Sequence, residues 1–178
     1  MIPLLTKKLH DKAGVFKLAI LTSPLFIFGL IAKLYAAAFF AGVNFTTLFV
    51  PFAKYYAQSR FADPYAHFYT LNITEIFPYP QLMLFIFSLP GILWRPLLSP
   101  GIFSISHLEL FLYHLPLIAA DITILLVLSR WLKNRHRELL ILYWLSPVFF
   151  YINYLHGQLD VIPIACVFVF LHYLFRER

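Results

Sequence analysis

Charge is what this sequence has least of. Only 12% of its 178 residues are Asp, Glu, Lys or Arg, about half the share of an ordinary soluble domain. A surface so poor in charge excludes a soluble domain of useful size. Cysteine is nearly absent too. The single Cys166 lies in an apolar run, which excludes a disulfide framework or a thiolate metal site and reads as a small buried hydrophobe. The chain has no Walker loop, no Rossmann glycine pattern, no zinc-ligand spacing and no nucleophile elbow. Internal repeats and low-complexity segments are absent as well.

What the chain has in quantity is apolar surface. Hydrophobic residues make up 61% and aromatics 19%, with 20 Phe and 11 Tyr. The mean hydropathy is +0.78. This composition predicts an all-α, multi-pass transmembrane bundle, because a helix satisfies its backbone hydrogen bonds internally when no water is present. The net charge of +6 is not a nucleic-acid footprint. Its cations gather at Lys7, Lys8, Lys12 and Lys17, at Arg130, Lys133, Arg135 and Arg137, and at Arg176 and Arg178. Such clusters flanking apolar runs are the positive-inside pattern.

About 20 residues at 1.5 Å each cross a hydrocarbon core. Four segments meet or approach that length: 18–42, 108–130, 139–155 and 159–175. Pro24 is expected to kink the first. The apolar run from Leu139 to Phe175 would be about 55 Å as one helix, so the polar break at His156-Gly157-Gln158 and Asp160 divides it. With the N-terminus, the 130–138 turn and the C-terminus all cytoplasmic, an even number of crossings separates the first two. Segment 81–98 then cannot cross. It reads as a re-entrant or surface-lying piece of a large external loop, 44–107, and 61–80 reads as irregular loop. The whole forms one membrane domain, 1–178, expected to be incomplete. The setting is the plasma membrane in a prokaryote or the endoplasmic reticulum in a eukaryote.

Polar groups held within such a chain are costly and therefore informative. The loop offers Asp63 and Glu75 as candidate catalytic carboxylates, with His67 beside them. The plainer reading of Asp63 is a cap before Pro64. The outer turn of the last hairpin crowds His156, Gln158 and Asp160 as candidate substrate-binding groups. Its plainer reading is a capped turn with Asp160 at the helix start. Lys33, His114 and Asp121 lie inside spans. His114 and Asp121 are seven residues apart, two helical turns, so they share a face. The plainer reading of Asp121 is an interhelical hydrogen bond. Asn44-Phe45-Thr46 and Asn72-Ile73-Thr74 match the glycosylation sequon, a weak pattern.

Taken in order, several short motifs resemble the GT-C superfamily of membrane glycosyltransferases, and most closely its mannosyltransferase-related branch. They are Phe49-Val50-Pro51-Phe52, Asp63-Pro64-Tyr65, Phe77-Pro78-Tyr79-Pro80, Leu115-Pro116-Leu117-Ile118-Ala119-Ala120-Asp121, Ser146-Pro147 and His156-Gly157-Gln158-Leu159-Asp160 with Pro163. The resemblance implies transfer of a sugar, mannose being one candidate, from a polyprenyl-phosphate donor to a sugar or lipid-linked acceptor. It implies a carboxylate base, and cations or a divalent metal to balance the phosphate. Its partners would be membrane lipid and these substrates, with no nucleic acid.

Where the family usually carries an early loop Asp, this chain has Asn44, Thr46 and Thr47, so the acids fall to Asp63 and Glu75. Family members are longer, and a second chain could supply further spans. Two other classes compete. A non-catalytic or degenerate membrane subunit would explain the missing Asp. A small transporter would use Lys33, His114 and Asp121 as a buried polar path.

Overall fold

The computed structural model describes residues 20–73, 75 and 77–176. Those residues are helical wherever they are regular, with no strand among them. The lysines at 7–17, Arg178 and the Thr74 of the second sequon lie outside the described residues.

Proline and polar caps set where the helices begin. Pro24 is the first residue of α1, Pro24–Phe39. A proline there needs no amide donor and has its φ preset, so Pro24 starts the helix and does not kink it. The expected continuous span 18–42 is interrupted at Thr22-Ser23. After Gly42 a π-helical turn, Phe45–Phe49, leads into α2, Val50–Gln58. Asp63 caps α3, Pro64–Thr70, so the stretch expected to be irregular holds a helix. Then come α4, Gln81–Leu93, and a short 3-10 turn, Arg95–Leu97.

The longest helix, α5, spans His107–Trp131. It opens on a capping box in which Ser106 and Glu109 satisfy each other's backbone amides. The following stretch is broken. Helix α6, His136–Leu139, runs into a π-helical turn, Leu140–Trp144. Helix α7, Pro147–Phe150, runs into another, Tyr151–His156. The two halves meet at 45°, because Pro147 cannot donate to the turn before it. The straight span expected over 139–155 is therefore bent. Helix α8, Val161–Arg176, closes the chain.

Among the described residues, one helix, His107–Trp131, is long and apolar enough to cross a membrane. The bent pair makes a second if it counts as one span. Helices α1 and α8 have 16 residues each, about 24 Å, short of a core of about 30 Å. The sequence-based expectation of four full spans is thus reduced by helix length.

Contacts fix the helix directions. Phe39, ending α1, packs on His107, beginning α5, with ring centroids 5.0 Å apart. At the other end Ile20 shares a cluster with Leu125, Leu139 and Leu140. Helices α1 and α5 are therefore antiparallel. Trp131, ending α5, meets Phe168, His172 and Phe175 near the end of α8, so α5 and α8 are parallel. The bent pair packs against α1. We call the end holding Phe39, His107 and His156 the upper end, and the one holding Ile20, Trp131 and Phe175 the lower.

The segment between α1 and α5 gathers over the upper half. Its core is aromatic: Phe45, Phe49, Phe52, Phe68, Phe77, Phe87 and Tyr113 are all buried. Edge-to-face pairs such as Phe49–Phe77 at 5.7 Å are worth about 0.5–1.5 kcal/mol each beyond burial. Helix α4 packs against α2 and α5. Arg95 Nη2 donates to the Gln58 carbonyl at 2.9 Å, and the Ser99 amide donates to Glu109 at 2.9 Å, two residues into α5. The C-terminal end of 81–98 is therefore tied to α2 and to the start of α5.

Candidate functional site

The turn after α7 is placed by one glycine. Gly157 has φ +75°, a left-handed value that glycine adopts without penalty. A side chain there would also run into the Phe45 ring. Gly157 thus lets the turn press against the π-helical turn after α1. Phe45 in turn stacks on His114 at 4.3 Å.

This turn presents His156 and Asp160 to the exterior and Gln158 half-exposed. Asp160 immediately precedes α8, and its backbone carbonyl accepts from the Ile164 amide at 3.1 Å. The Asp160 carboxylate lies near Tyr79. Burial, and next the charge of Asp160, push the Tyr79 phenol above its ordinary value; the Leu159 backbone pulls weakly the other way. The Tyr65 hydroxyl donates toward the carbonyls of Phe77 and Tyr79 at 3.4 and 3.5 Å. Burial, then the charge of Asp63, raises the Tyr65 phenol too. The run Asp63, Tyr65, Tyr79, Asp160 therefore links the two polar segments across the upper end. Both tyrosines stay protonated at neutral pH, and with their single hydrogens turned to groups of the chain, their hydroxyl oxygens keep the capacity to accept a hydrogen bond.

The individual site residues fare differently. Asp63 is exposed, and its Oδ1 accepts from the Tyr65 and Ala66 amides at 2.8 and 3.4 Å. Its second oxygen takes no part in this cap. Glu75 is exposed in the irregular segment between α3 and α4. His67 is half-buried and held by an aromatic neighbour. Its ring lies flat on Tyr55, with centroids 3.9 Å apart and planes 7° apart. Its Nε2 is buried with no hydrogen-bond partner among the described residues. Cys166, expected to be buried, is exposed and lines an apolar groove of about 680 Å³ between α4, α5 and α8. None of the expected site residues lines that groove.

The expected buried polar residues do meet, in the middle of the bundle. Lys33 Nζ pairs with Asp121 Oδ2 at 2.6 Å, both fully buried. The hydroxyls of Tyr143 and Tyr154 donate to Asp121 at 2.7 and 2.8 Å. The ammonium also sits 3.5 Å from the centre of the Trp144 ring, a cation–π contact. Trp144 is anchored by its indole donating to the Phe26 carbonyl at 3.0 Å. It can approach α1 because Gly29 carries no side chain; a Cβ there would overlap the indole. His114 is fully buried two turns from Asp121 along the same helix, with Nδ1 2.8 Å from the Leu110 carbonyl. Its Nε2 has no hydrogen-bond partner among the described residues. This satisfied ion pair joins α1, α5 and both halves of the bent pair.

A second buried pair went unrecognised in the sequence. Lys54 Nζ sits 2.5 Å from Glu109 Oε1, and also donates to Ser99 Oγ and the Ser104 carbonyl at 2.7 and 2.8 Å. Both residues carry charge in apolar surroundings, which is the signal; nothing in their spacing pairs them.

Among the described residues no three His, Cys, Asp or Glu side chains converge as a cation cage. No family model, no curated protein and no solved structure matches the chain.

Proposed function

We propose that this chain is a membrane-embedded unit of a glycosyltransferase that moves a sugar from a polyprenyl-phosphate donor. The reading takes α1, α5, the bent α6–α7 pair and α8 as four passes, with the upper end on the side opposite the basic turn. Large apolar side chains facing outward support it, among them Phe28, Ile31, Leu82, Leu142 and Phe170, each more than 60% exposed. Water would not tolerate so many together.

The observation that carries the functional part is the run from Asp63 through Tyr65 and Tyr79 to Asp160. In this reading a sugar hydroxyl lies against it. A carboxylate takes the hydroxyl proton as the oxygen attacks the anomeric carbon. The bond to the donor phosphate breaks, and the phosphate departs with the electron pair. Asp63 is the candidate base through the oxygen not used in its cap. Tyr79 and Asp160 orient the acceptor, with Gln158 and His156 beside them.

The experiment is transfer of radiolabelled sugar from polyprenyl-phosphate donors in membranes carrying the chain. Asp63→Asn is the informative change. Asparagine caps a helix as well as aspartate but cannot accept the proton. Loss of transfer with normal folding supports the base; unaltered transfer removes it. Glu75→Gln and Asp160→Asn complete the series.

A second reading, a non-catalytic membrane subunit, is favoured by one observation. Asp63 is engaged in a cap and His67 in a ring stack, so two of the expected site residues already have structural roles. Absence of transfer from the unaltered chain would select this reading.

A further inference from the structure

We propose that the turn closing α5, residues 130–137, is a docking surface for anionic lipid headgroups, which rests on the membrane reading above. Helix α5 has 25 residues, about 37 Å, against a hydrocarbon core of about 30 Å. When the helix spans, its last turn stands at headgroup depth. Lys133, Arg135 and Arg137 are exposed there and Arg130 is half-exposed. Among the described residues one acid, Glu138, pairs with a cation of this turn. It reaches Arg135 at 3.6 Å, with side chains 70% and 62% exposed, a contact too solvated to neutralise much.

Apolar and cationic exposure meet at this level. Trp131 and Leu132 are exposed beside the cations. Trp131 is pinned, its indole donating to His172 Nδ1 at 3.2 Å and its ring stacked on Phe168 at 5.6 Å. Tyr173, Leu174 and Phe175 in the last turns of α8 are exposed too. An acidic protein or a nucleic acid has no use for this apolar collar. A lipid satisfies both halves, its acyl chains against the collar and its phosphate among the cations.

The test titrates the full chain in neutral detergent with brominated phosphatidylglycerol or brominated phosphatidylcholine. Quenching of Trp131 is taken as the signal lost in Trp131→Phe. The anionic lipid is expected to half-saturate at least about tenfold lower than the zwitterionic one, a modest share of the attraction several basic residues supply at a membrane surface. The triple change Lys133→Gln, Arg135→Gln and Arg137→Gln should abolish the preference, while Arg135→Lys with Arg137→Lys keeps it. If the triple variant does not fold, salt serves instead, since raised ionic strength must shrink the preference of the unaltered chain.

Equal quenching by both lipids overturns the proposal. Displacement of the anionic lipid by inorganic phosphate at matched concentration also overturns it, marking a phosphate site and not a lipid surface. Alkaline carbonate extraction of cell membranes tests the underlying reading separately. A chain released into the supernatant sinks the membrane reading and the proposal together. A chain retained in the membrane with equal quenching sinks the proposal alone.

Discussion

Two ion pairs are buried among the described residues, and they are built in opposite ways. Lys33–Asp121 is solvated by side chains alone: two tyrosine hydroxyls on the carboxylate and an indole face under the ammonium. The two charges lie 88 residues apart in the chain. Lys54–Glu109 is solvated by local chain: the Ser99 amide and hydroxyl, the Ser106 amide and the Ser104 carbonyl. The first is a knot between long helices, and the second staples a loop to a helix start. Burying a charge costs several kcal/mol unless it is paired and hydrogen-bonded, and both arrangements meet that condition. They differ in what remains when one partner is removed.

Removing Asp121 leaves Lys33 with only an aromatic face and strips the acceptor from two hydroxyls. Asp121→Ala should cost about 3–5 kcal/mol, read by thermal unfolding of the detergent-solubilised chain. Glu109→Ala leaves Lys54 its Ser99 and Ser104 acceptors and should cost about 2 kcal/mol. The reverse ranking would break the comparison. Replacing both long-range partners, Lys33→Met with Asp121→Leu, should recover a good part of the loss, since no buried charge is then left alone.

Gly157→Ala comes next. The left-handed backbone penalises a Cβ by about 1–2 kcal/mol, and overlap with Phe45 adds to it. The effect should centre on the upper end. Labelling of a cysteine placed at Gln158 should rise, while one at Arg135, at the lower end, keeps its rate. A uniform rise at both sites would mean that the two ends unfold together and are not separate regions.

The sequence carried one kind of information about these regions and withheld another. Lys33 and Asp121 stand out as charges in apolar runs, and the shared face of His114 and Asp121 follows from helical spacing. That Lys33 is the partner of Asp121 does not follow, because pairing across helices depends on rotation that periodicity leaves open. Tyr143 and Tyr154 give no sign of their role, tyrosine being common here at 11 residues. Ser23-Pro24 and Asp63-Pro64 mark the starts of α1 and α3, where a kink and an irregular loop were expected. The π-helical turns had no signature, since they depend on how bulky neighbours settle against other helices. At the site, Asp160 was legible as a polar residue in a turn. Tyr79, which ties it to the other segment, was visible only as part of a proline-flanked motif.

The smallest expected effect bears most directly on the site. Burial, and after it the charge of Asp160, raises the Tyr79 phenol above its ordinary value. A group whose pKa is raised on folding holds its proton more tightly in the folded chain. Whatever Tyr79 adds to stability is therefore intact below about pH 10, its unfolded range, and is lost as pH rises through the folded value. Asp160→Asn removes the repelling charge and should move the Tyr79 titration down toward ordinary tyrosine without returning it fully, because burial remains. The phenolate absorbance assigned by difference against Tyr79→Phe reads this shift. Asp63→Asn should leave it in place, since Asp63 acts on Tyr65. A Tyr79 titration indifferent to Asp160 would separate the two polar segments. The upper end would then be a set of capped turns with no common acceptor surface.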